Sequence, residues 1–245
     1  MFAPKTFWQA SLEAGRRMLY PMADPTPMAH SRSSAAIPVM VPIRSLGPAH
    51  RERITAHLLA LDPADRYLRF GYAASDEHIR RYTEHLDFDR DEIFGIYNRR
   101  LELIAMAHLA YSPDPKLDSC AEFGVSVLKQ ARGRGFGGRL FDRAVMHARN
   151  AGVHMLFIHA LSENTAMLKI ARNAGASVQR DGSESDAYLK LPPASLDTRM
   201  AQFVEEQFAE VDYGLKVQAQ QFRNMLAGMQ EVRRGMRQGR HKSAQ

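Results

Sequence analysis

The fold is decided by one stretch, Val125-Ser126-Val127-Leu128-Lys129-Gln130-Ala131-Arg132-Gly133-Arg134-Gly135-Phe136-Gly137-Gly138-Arg139-Leu140. It begins as an alternating apolar strand, passes through a loop rich in glycine and arginine, and enters a helix. Four glycines in six positions leave the backbone amides open to a ligand. Amides at the start of a helix are unpaired and lie at its positive end. The stretch therefore predicts a site for a phosphate or a pyrophosphate.

Two common phosphate loops fit this stretch poorly. Residues 133–138 satisfy the Gly-x-Gly-x-x-Gly spacing of dinucleotide-binding proteins. However, several predicted strands precede the loop, and the next strand ends at His159 where that fold needs an acidic residue. The Walker loop needs Gly-Lys-Ser/Thr, which is missing here.

Working outward, hydrophobic periodicity and turn residues predict an α/β (α+β) domain in which an antiparallel meander feeds strand–helix–strand units. Ser75 and Ser162 are the predicted N-caps of two of its helices. Strands are predicted at 38–44, 92–98, 101–111, 121–128, 153–159, 176–180 and 185–191, and helical segments at 48–61, 64–70, 76–84, 137–151 and 163–173.

The chain divides into three predicted regions. Residues 1–36 form a partly disordered N-terminal extension, because proline and serine are frequent there. Residues 37–194 form the compact domain, and residues 195–245 form a C-terminal helical extension with a basic tail. Apolar residues at alternating spacings of four and three run from Val204 to Met236 and predict one or two long helices. Such helices dock on the domain or pair two chains as a homodimer.

Composition narrows the class of protein. The chain has 245 residues, 45% of them hydrophobic and 24% charged, which is typical of a globular protein without a membrane span. A single cysteine, Cys120, excludes an intramolecular disulfide and favours a reducing, cytoplasmic location. The net charge of +6 is interpreted as solubility, and the basic tail lacks the aromatic residues of a nucleic-acid site. The histidines show no metal-ligand spacing, so no metal is predicted.

Together these motifs resemble the GNAT superfamily of N-acetyltransferases. The coenzyme A loop of that family, Arg/Gln-x-x-Gly-x-Gly/Ala, is met by residues 132–137 and also by the register that begins at Gln130. Asn164 followed by a helix and Gly175 is similar to a second family element, and the resemblance covers about residues 38–191. The segments 61–70 and 121–125 are similar to the bacterial protein-lysine acetyltransferase group.

The resemblance implies a mixed, mostly antiparallel central sheet flanked by helices, with acetyl-CoA as the acyl donor and an amine such as a protein lysine as acceptor. It implies that a backbone N–H near Val125 stabilises the oxyanion, a contribution on the order of 3 kcal/mol. Glu122 is the expected base, since a lysine ammonium must lose a proton before it attacks. Cofactor contacts are expected at Val125, Val127, Arg132, Gly133, Arg134, Gly135, Phe136, Gly137, Gly138 and Asn164.

Alternatives remain open at this point. Many family members place a general-acid tyrosine seven residues after the helix asparagine, but here that position is Ala171. A small-molecule amine acetyltransferase, or a catalytically silent module that binds coenzyme A, is therefore also consistent with the sequence. His159 is a second candidate base, and Cys120 is a weaker candidate nucleophile because the sequence alone places no histidine or aspartate partner for it.

Overall fold

In the computed structural model, residues 41–112 and 119–242 are described, with side chains described through residue 224. A mixed sheet forms the centre of the molecule and helices cover both of its faces. The strands are β1 (Arg44–Ser45), β2 (Glu92–Tyr97), β3 (Leu103–Tyr111), β4 (Cys120–Val127), β5 (Met155–Leu161), β6 (Ser177–Asp181) and β7 (Glu184–Lys190). The helices are α1 (Arg51–Leu59), α2 (Pro63–Phe70), α3 (Asp76–Glu84), α4 (Phe136–Asn150), α5 (Thr165–Asn173) and α6 (Leu196–Lys242).

The sheet opens in its middle. Its strand order is β1-β2-β3-β4-β5-β7-β6, and β4–β5 is the single parallel pair among the described strands. The β4–β5 ladder has three residue pairs and ends at Glu122 and Phe157, although both strands continue beyond these residues. Because the strands separate there, one edge of β4 from Phe123 to Val127 is left without a strand neighbour.

The two faces of β4 carry different side chains, since neighbouring residues of a strand point in opposite directions. Phe123 packs against Phe141 of α4, with 5.0 Å between the ring centroids. On the opposite face, Ser126 bonds to His57 of α1, whose Nε2 lies 2.8 Å from the serine Oγ. Burial lowers the pKa of His57 to about 4, so this imidazole is neutral and can accept the serine proton. Glu122 and Gly124 therefore face the side of α1–α3.

The mixed, mostly antiparallel sheet confirms the predicted fold class, while several details differ. The first strand is shorter and later than predicted, at 44–45, and residues 38–40 of the predicted strand lie outside the described part. Ser75 caps α3 as predicted. The prediction for Ser162 is wrong: Asn164 caps α5, and the Ser162 hydroxyl instead donates to the carbonyl of Glu184 at 2.9 Å. The predicted extension at 1–36 lies outside the described residues, and the domain bounds stay predictions.

A single helix, α6, follows the sheet and packs outside α4. Its Glu206 accepts a 2.7 Å hydrogen bond from the buried Arg143 of α4, and its Lys216 donates to the carbonyl of Tyr97 at 3.0 Å. One helix over the predicted heptad region agrees with the predicted helical extension. Within the described ranges, no helix combines the length and the apolar character required to span a bilayer.

Candidate active site

A cavity of about 560 Å³ opens where β4 and β5 separate. Its walls come from α2, from β4, from the loop and first turn after β4, and from α5. Nine of the ten residues predicted to contact the cofactor line it: Val125, Val127, Arg132, Gly133, Gly135, Phe136, Gly137, Gly138 and Asn164. The tenth, Arg134, is an exposed loop residue outside this lining. The structure thus brings most of the predicted residues to one cavity.

The loop before α4 is shaped by two glycines with left-handed backbones. Gly133 has φ 76° and Gly135 has φ 74°, values that side-chain-bearing residues rarely adopt. A Cβ atom on either would meet no atom within 4 Å, so this backbone is open to a ligand. Gly135 is the N-cap of α4, and the first turn of that helix contains no acidic residue. Its free amides therefore form an uncompensated positive end that suits a pyrophosphate.

One arginine of the loop is held across the cavity mouth. Arg132 donates through Nε to the carbonyl of Val127 at 3.2 Å, and its Nη2 pairs with the carboxylate of Asp65 on α2. Asp65 and Arg132 both line the cavity. The pair ties α2 to the loop, and it leaves part of the Arg132 charge neutralised before any ligand binds.

Glu122 lies at the point where the two strands diverge. It is buried, with 3% of its surface exposed, and it lines a smaller recess beside the main cavity. The same recess is lined by Arg69, Gly124, Val125 and His159. A carboxylate in this position can take a proton from an amine that approaches Val125 from the α1–α3 side.

Behind Glu122, four side chains are joined in a row by hydrogen bonds, and a fifth, Arg90, binds the last of them. Arg69 Nη2 donates to the hydroxyl of Tyr82 at 3.2 Å, and this hydroxyl lies 2.7 Å from His108 Nδ1. His108 Nε2 lies 2.9 Å from a carboxylate oxygen of Asp91. Arg90 donates to the other oxygen of Asp91 at 2.8 Å. The chain connects the cavity wall with the outer end of β3.

The protonation states of this chain follow from burial and pairing. Burial raises the pKa of Tyr82 and lowers the pKa of His108, so both are neutral near pH 7. Burial also opposes ionisation of Asp91, but the hydrogen bonds from His108 and Arg90 outweigh it and leave the pKa of Asp91 below its usual range. In this state Tyr82 donates to His108, and His108 donates to Asp91. The chain holds Arg69 in place through Tyr82.

His159 forms a separate dyad at the edge of the recess. Its Nδ1 lies 2.7 Å from Oδ1 of Asp186 on β7, and 29% of its side chain is exposed. The hydrogen bond to Asp186 is the main cause that raises the pKa of His159, and the charge of Glu122 adds to it. A histidine that is near both solvent and Glu122 can pass a proton between them.

Three further predicted residues have clear positions. Asn164 lines both the main cavity and the recess beside it. Its side chain also accepts a hydrogen bond from the amide of Met167 at 3.1 Å and so caps α5. Ala171, at the position of the family tyrosine, is fully buried. Cys120 begins β4 and lies outside the linings of the cavity and the recess.

Among the described residues, no cluster of histidine, cysteine and carboxylate side chains could hold a metal.

The sequence did not predict site roles for Asp65, Arg69, Tyr82, His108 or Asp91. Asp65 and Arg69 belong to the segment 61–70, whose similarity to the lysine acetyltransferase group was one usable signal. Tyr82, His108 and Asp91 are separated by 9 to 26 positions and are brought together by tertiary packing. No local pattern marks them.

Comparison with known proteins agrees with this geometry. Residues 60–176 match the model of the acetyltransferase (GNAT) family. The GNAT domain of PAT from S. lividans is 21% identical, with a TM-score of 0.54 over 62% of this chain and 95% of that one. A protein from Salmonella typhimurium, described as an acetyltransferase with its cofactor acetyl-CoA, is 16% identical, with a TM-score of 0.50 over 63% and 96% of the two chains. No curated protein matches the sequence significantly.

Proposed function

We propose that residues 60–176, which match the model of the acetyltransferase (GNAT) family, form a domain that uses acetyl-CoA to acetylate amines, and that this enzyme acetylates a lysine side chain of a protein. The observation that carries the proposal is the buried Glu122, which lies where β4 and β5 separate and beside the cavity of the glycine loop. Donor and acceptor can therefore meet at Val125 from opposite sides.

In the proposed complex, the amides of residues 133–138 hold the pyrophosphate of acetyl-CoA. The edge of β4 at Val125 and Val127, which has no strand neighbour, bonds the amide-rich pantetheine arm in the manner of an added strand. Asn164 contacts the cofactor from the start of α5. The open backbone at Gly133 and Gly135 supports this arrangement, because a side chain at either would narrow the approach.

Glu122 is proposed as the base, acting directly or through a water. A lysine amine with a pKa near 10.4 is almost wholly protonated at neutral pH, so its proton must be removed before the nitrogen attacks the acetyl carbonyl. The backbone N–H near Val125 then stabilises the oxyanion. The thiolate of coenzyme A leaves without a tyrosine at position 171, which its pKa, near that of an ordinary thiol at about 8.5, makes tolerable.

The preference for a protein lysine rests on the similarity of segments 61–70 and 121–125 to the bacterial protein-lysine acetyltransferase group. The proposal also includes a cytoplasmic location, which suits a chain with one cysteine, and a homodimer through α6. The region 37–194 is proposed as the catalytic unit.

The test measures thiol release from acetyl-CoA, corrected for hydrolysis, by the full chain with lysine-containing proteins and with small amines. Glu122→Gln is expected to lower kcat by roughly 10²–10⁴-fold with unchanged coenzyme A affinity. Glu77→Gln, at a side chain 80% exposed, is the matched control and should match the unmutated enzyme.

Each outcome separates the alternatives. Unchanged turnover in Glu122→Gln would exclude this residue as the base. Faster acetylation of small amines than of any protein lysine would replace the proposed acceptor class. Coenzyme A binding without turnover on any amine would indicate a silent binding module, which Ala171 keeps as the second candidate function.

A further inference from the structure

One side of α6 carries apolar side chains that point away from the domain. Five residues at heptad spacing have 38–63% of their surface exposed: Val204, Phe208, Val211, Leu215 and Phe222. We call them the α6 seam. The opposite side docks on the domain through Ala209, which is 2% exposed, and through Tyr213 and Lys216. A row of large apolar side chains in water is typical of an interaction surface.

The glycine beside the seam has no explanation within one chain. Gly214 is in the interior of α6, where glycine is unfavourable relative to alanine. A Cβ atom there would meet nothing within 4 Å, so the domain does not require glycine. In the sequence, Gly228 and Gly235 recur at the same heptad position as Gly214. Small residues beside a seam let a second helix approach closely.

The charge of α6 changes sign along its length. Residues 197–212 contain five acidic residues and one basic residue, whereas residues 213–242 contain seven basic residues and one acidic residue. Two such helices side by side in parallel would align like charges. In antiparallel orientation, the acidic half of each would lie beside the basic half of the other.

The length of α6 also suits a second helix. Arg223 donates to the carbonyl of Arg99 at 2.8 Å, and the helix continues from 224 to 242, which at 1.5 Å per residue is about 28 Å. In the sequence, the heptad spacing continues through this part as Met225, Met229, Val232 and Met236. An isolated helix of this length is marginal in water, so a packing partner stabilises it.

We propose that two copies of this chain pair through the α6 seam as an antiparallel two-helix coil, with the two-fold axis crossing near residue 220. This inference extends the proposed homodimer by its orientation and register. The register uses every heptad position, because it sets 204 opposite 236, 208 opposite 232, 211 opposite 229, 215 opposite 225 and 218 opposite 222. On the flank of the seam, the two copies of Gln221 then lie about two residues, or 3 Å, apart along the helix axis, and Gly214 lies equally close to position 228. The interface is then the same patch on both copies.

The first test is the mass of the full chain by sedimentation or light scattering. The unmutated protein is expected to be a dimer, and Leu215→Glu a monomer, because a carboxylate enters an apolar seam. Leu215 is 61% exposed, so folding of the single chain does not depend on it. Asn224→Glu adds the same charge at an exposed position outside the seam and should stay dimeric. A monomeric unmutated protein, or a dimeric Leu215→Glu, would overturn the proposal.

The second test is disulfide trapping in a Cys120→Ser background, which measures orientation. Gln221→Cys is expected to cross-link to its own copy under mild oxidation. Val211→Cys is expected to stay reduced, because the register separates the two copies of position 211 by 18 residues, about 27 Å. The reverse result would indicate a parallel dimer and reject this register. Neither test involves acetyl transfer, so an inactive but dimeric protein would reject only the proposed activity.

Discussion

The guanidinium of Arg69 lies directly against the backbone of Gly124, and a Cβ atom at Gly124 would stand 2.8 Å from its Cζ. Arg69 also donates to Tyr82, the first member of the chain that leads to His108. Arg69 and Gly124 both line the recess that contains Glu122. Glycine at position 124 is therefore what allows a cation to lie beside the proposed base.

Gly124→Ala is expected to displace Arg69 and to lower kcat/KM at least about tenfold, which corresponds to about 1.4 kcal/mol of transition-state stabilisation. Overpacking should also reduce the free energy of unfolding by about 1–3 kcal/mol. Coenzyme A affinity should change little, since the glycine loop is unaffected. Steady-state kinetics, calorimetric binding and urea unfolding check the three effects.

The matched control for this change is Gly47→Ala, where the added Cβ meets no atom within 4 Å. Its kinetics and stability should remain close to those of the unmutated enzyme. If Gly124→Ala behaved like Gly47→Ala, the position of Arg69 would have no bearing on turnover.

The glycine loop offers a second comparison between two left-handed glycines. Gly135, with φ 74°, lines the cavity, and Gly175, with φ 83°, ends α5 outside that lining. Valine at either position adds backbone strain of about 1–2 kcal/mol. We expect Gly135→Val to abolish measurable coenzyme A binding while unfolding stays cooperative, and Gly175→Val to be destabilised with near-normal affinity. Calorimetric titration and thermal unfolding measure both; equal loss of affinity in the two variants would contradict the loop assignment.

The parts of this molecule that could be predicted from sequence are those that local chemistry specifies. Gly133 and Gly135 indicate the loop because residues with side chains rarely adopt its left-handed backbone, and the alternating apolar pattern of the strands indicates the sheet. Ser162 was mispredicted as a helix cap because serine suits a turn as well as an N-cap, and Asn164 two positions later competes for the same role. The bond that outweighs the cap is to β7, more than twenty positions away.

The acceptor side could not be predicted, since its contacts join distant segments. Arg69 comes from α2, Tyr82 from α3 and His108 from β3, and the local pattern of each segment indicates only a helix or a strand. The cavity opens beside the place where the β4–β5 ladder ends at Glu122, and no single residue type in the sequence indicates where that ladder ends.

The pair formed by His159 and Asp186 at the edge of the recess predicts that the free energy of unfolding depends on pH. The pKa of His159 is raised, mainly by its hydrogen bond to Asp186, so the folded state favours the protonated imidazole. This contribution to stability is fully present below the unfolded pKa of about 6.5 and is lost as the pH rises through the folded value. Asp186→Asn should lower the pKa of His159 in an NMR titration and flatten the fall in stability that begins near pH 6.5, at about the unfolded pKa, and continues as the pH rises. Glu184→Gln is the control, since Glu184 lies 3.9 Å from Nε2 and is 60% exposed.

The contact that fastens α6 to the domain predicts strong coupling between two side chains. Arg143 is 1% exposed and donates to Glu206 at 2.7 Å, and among the described residues its Nε and Nη1 have no hydrogen-bond partner. Glu206→Leu should destabilise by about 2–3 kcal/mol, because the buried guanidinium loses its hydrogen-bonded carboxylate and keeps the longer ion pair with Glu205 at 3.8 Å. Adding Arg143→Met should recover much of that loss, because the poorly paired charge is gone. Urea unfolding of both single variants and the double variant gives the coupling energy, and additive losses would mean that the pair does not hold the helix.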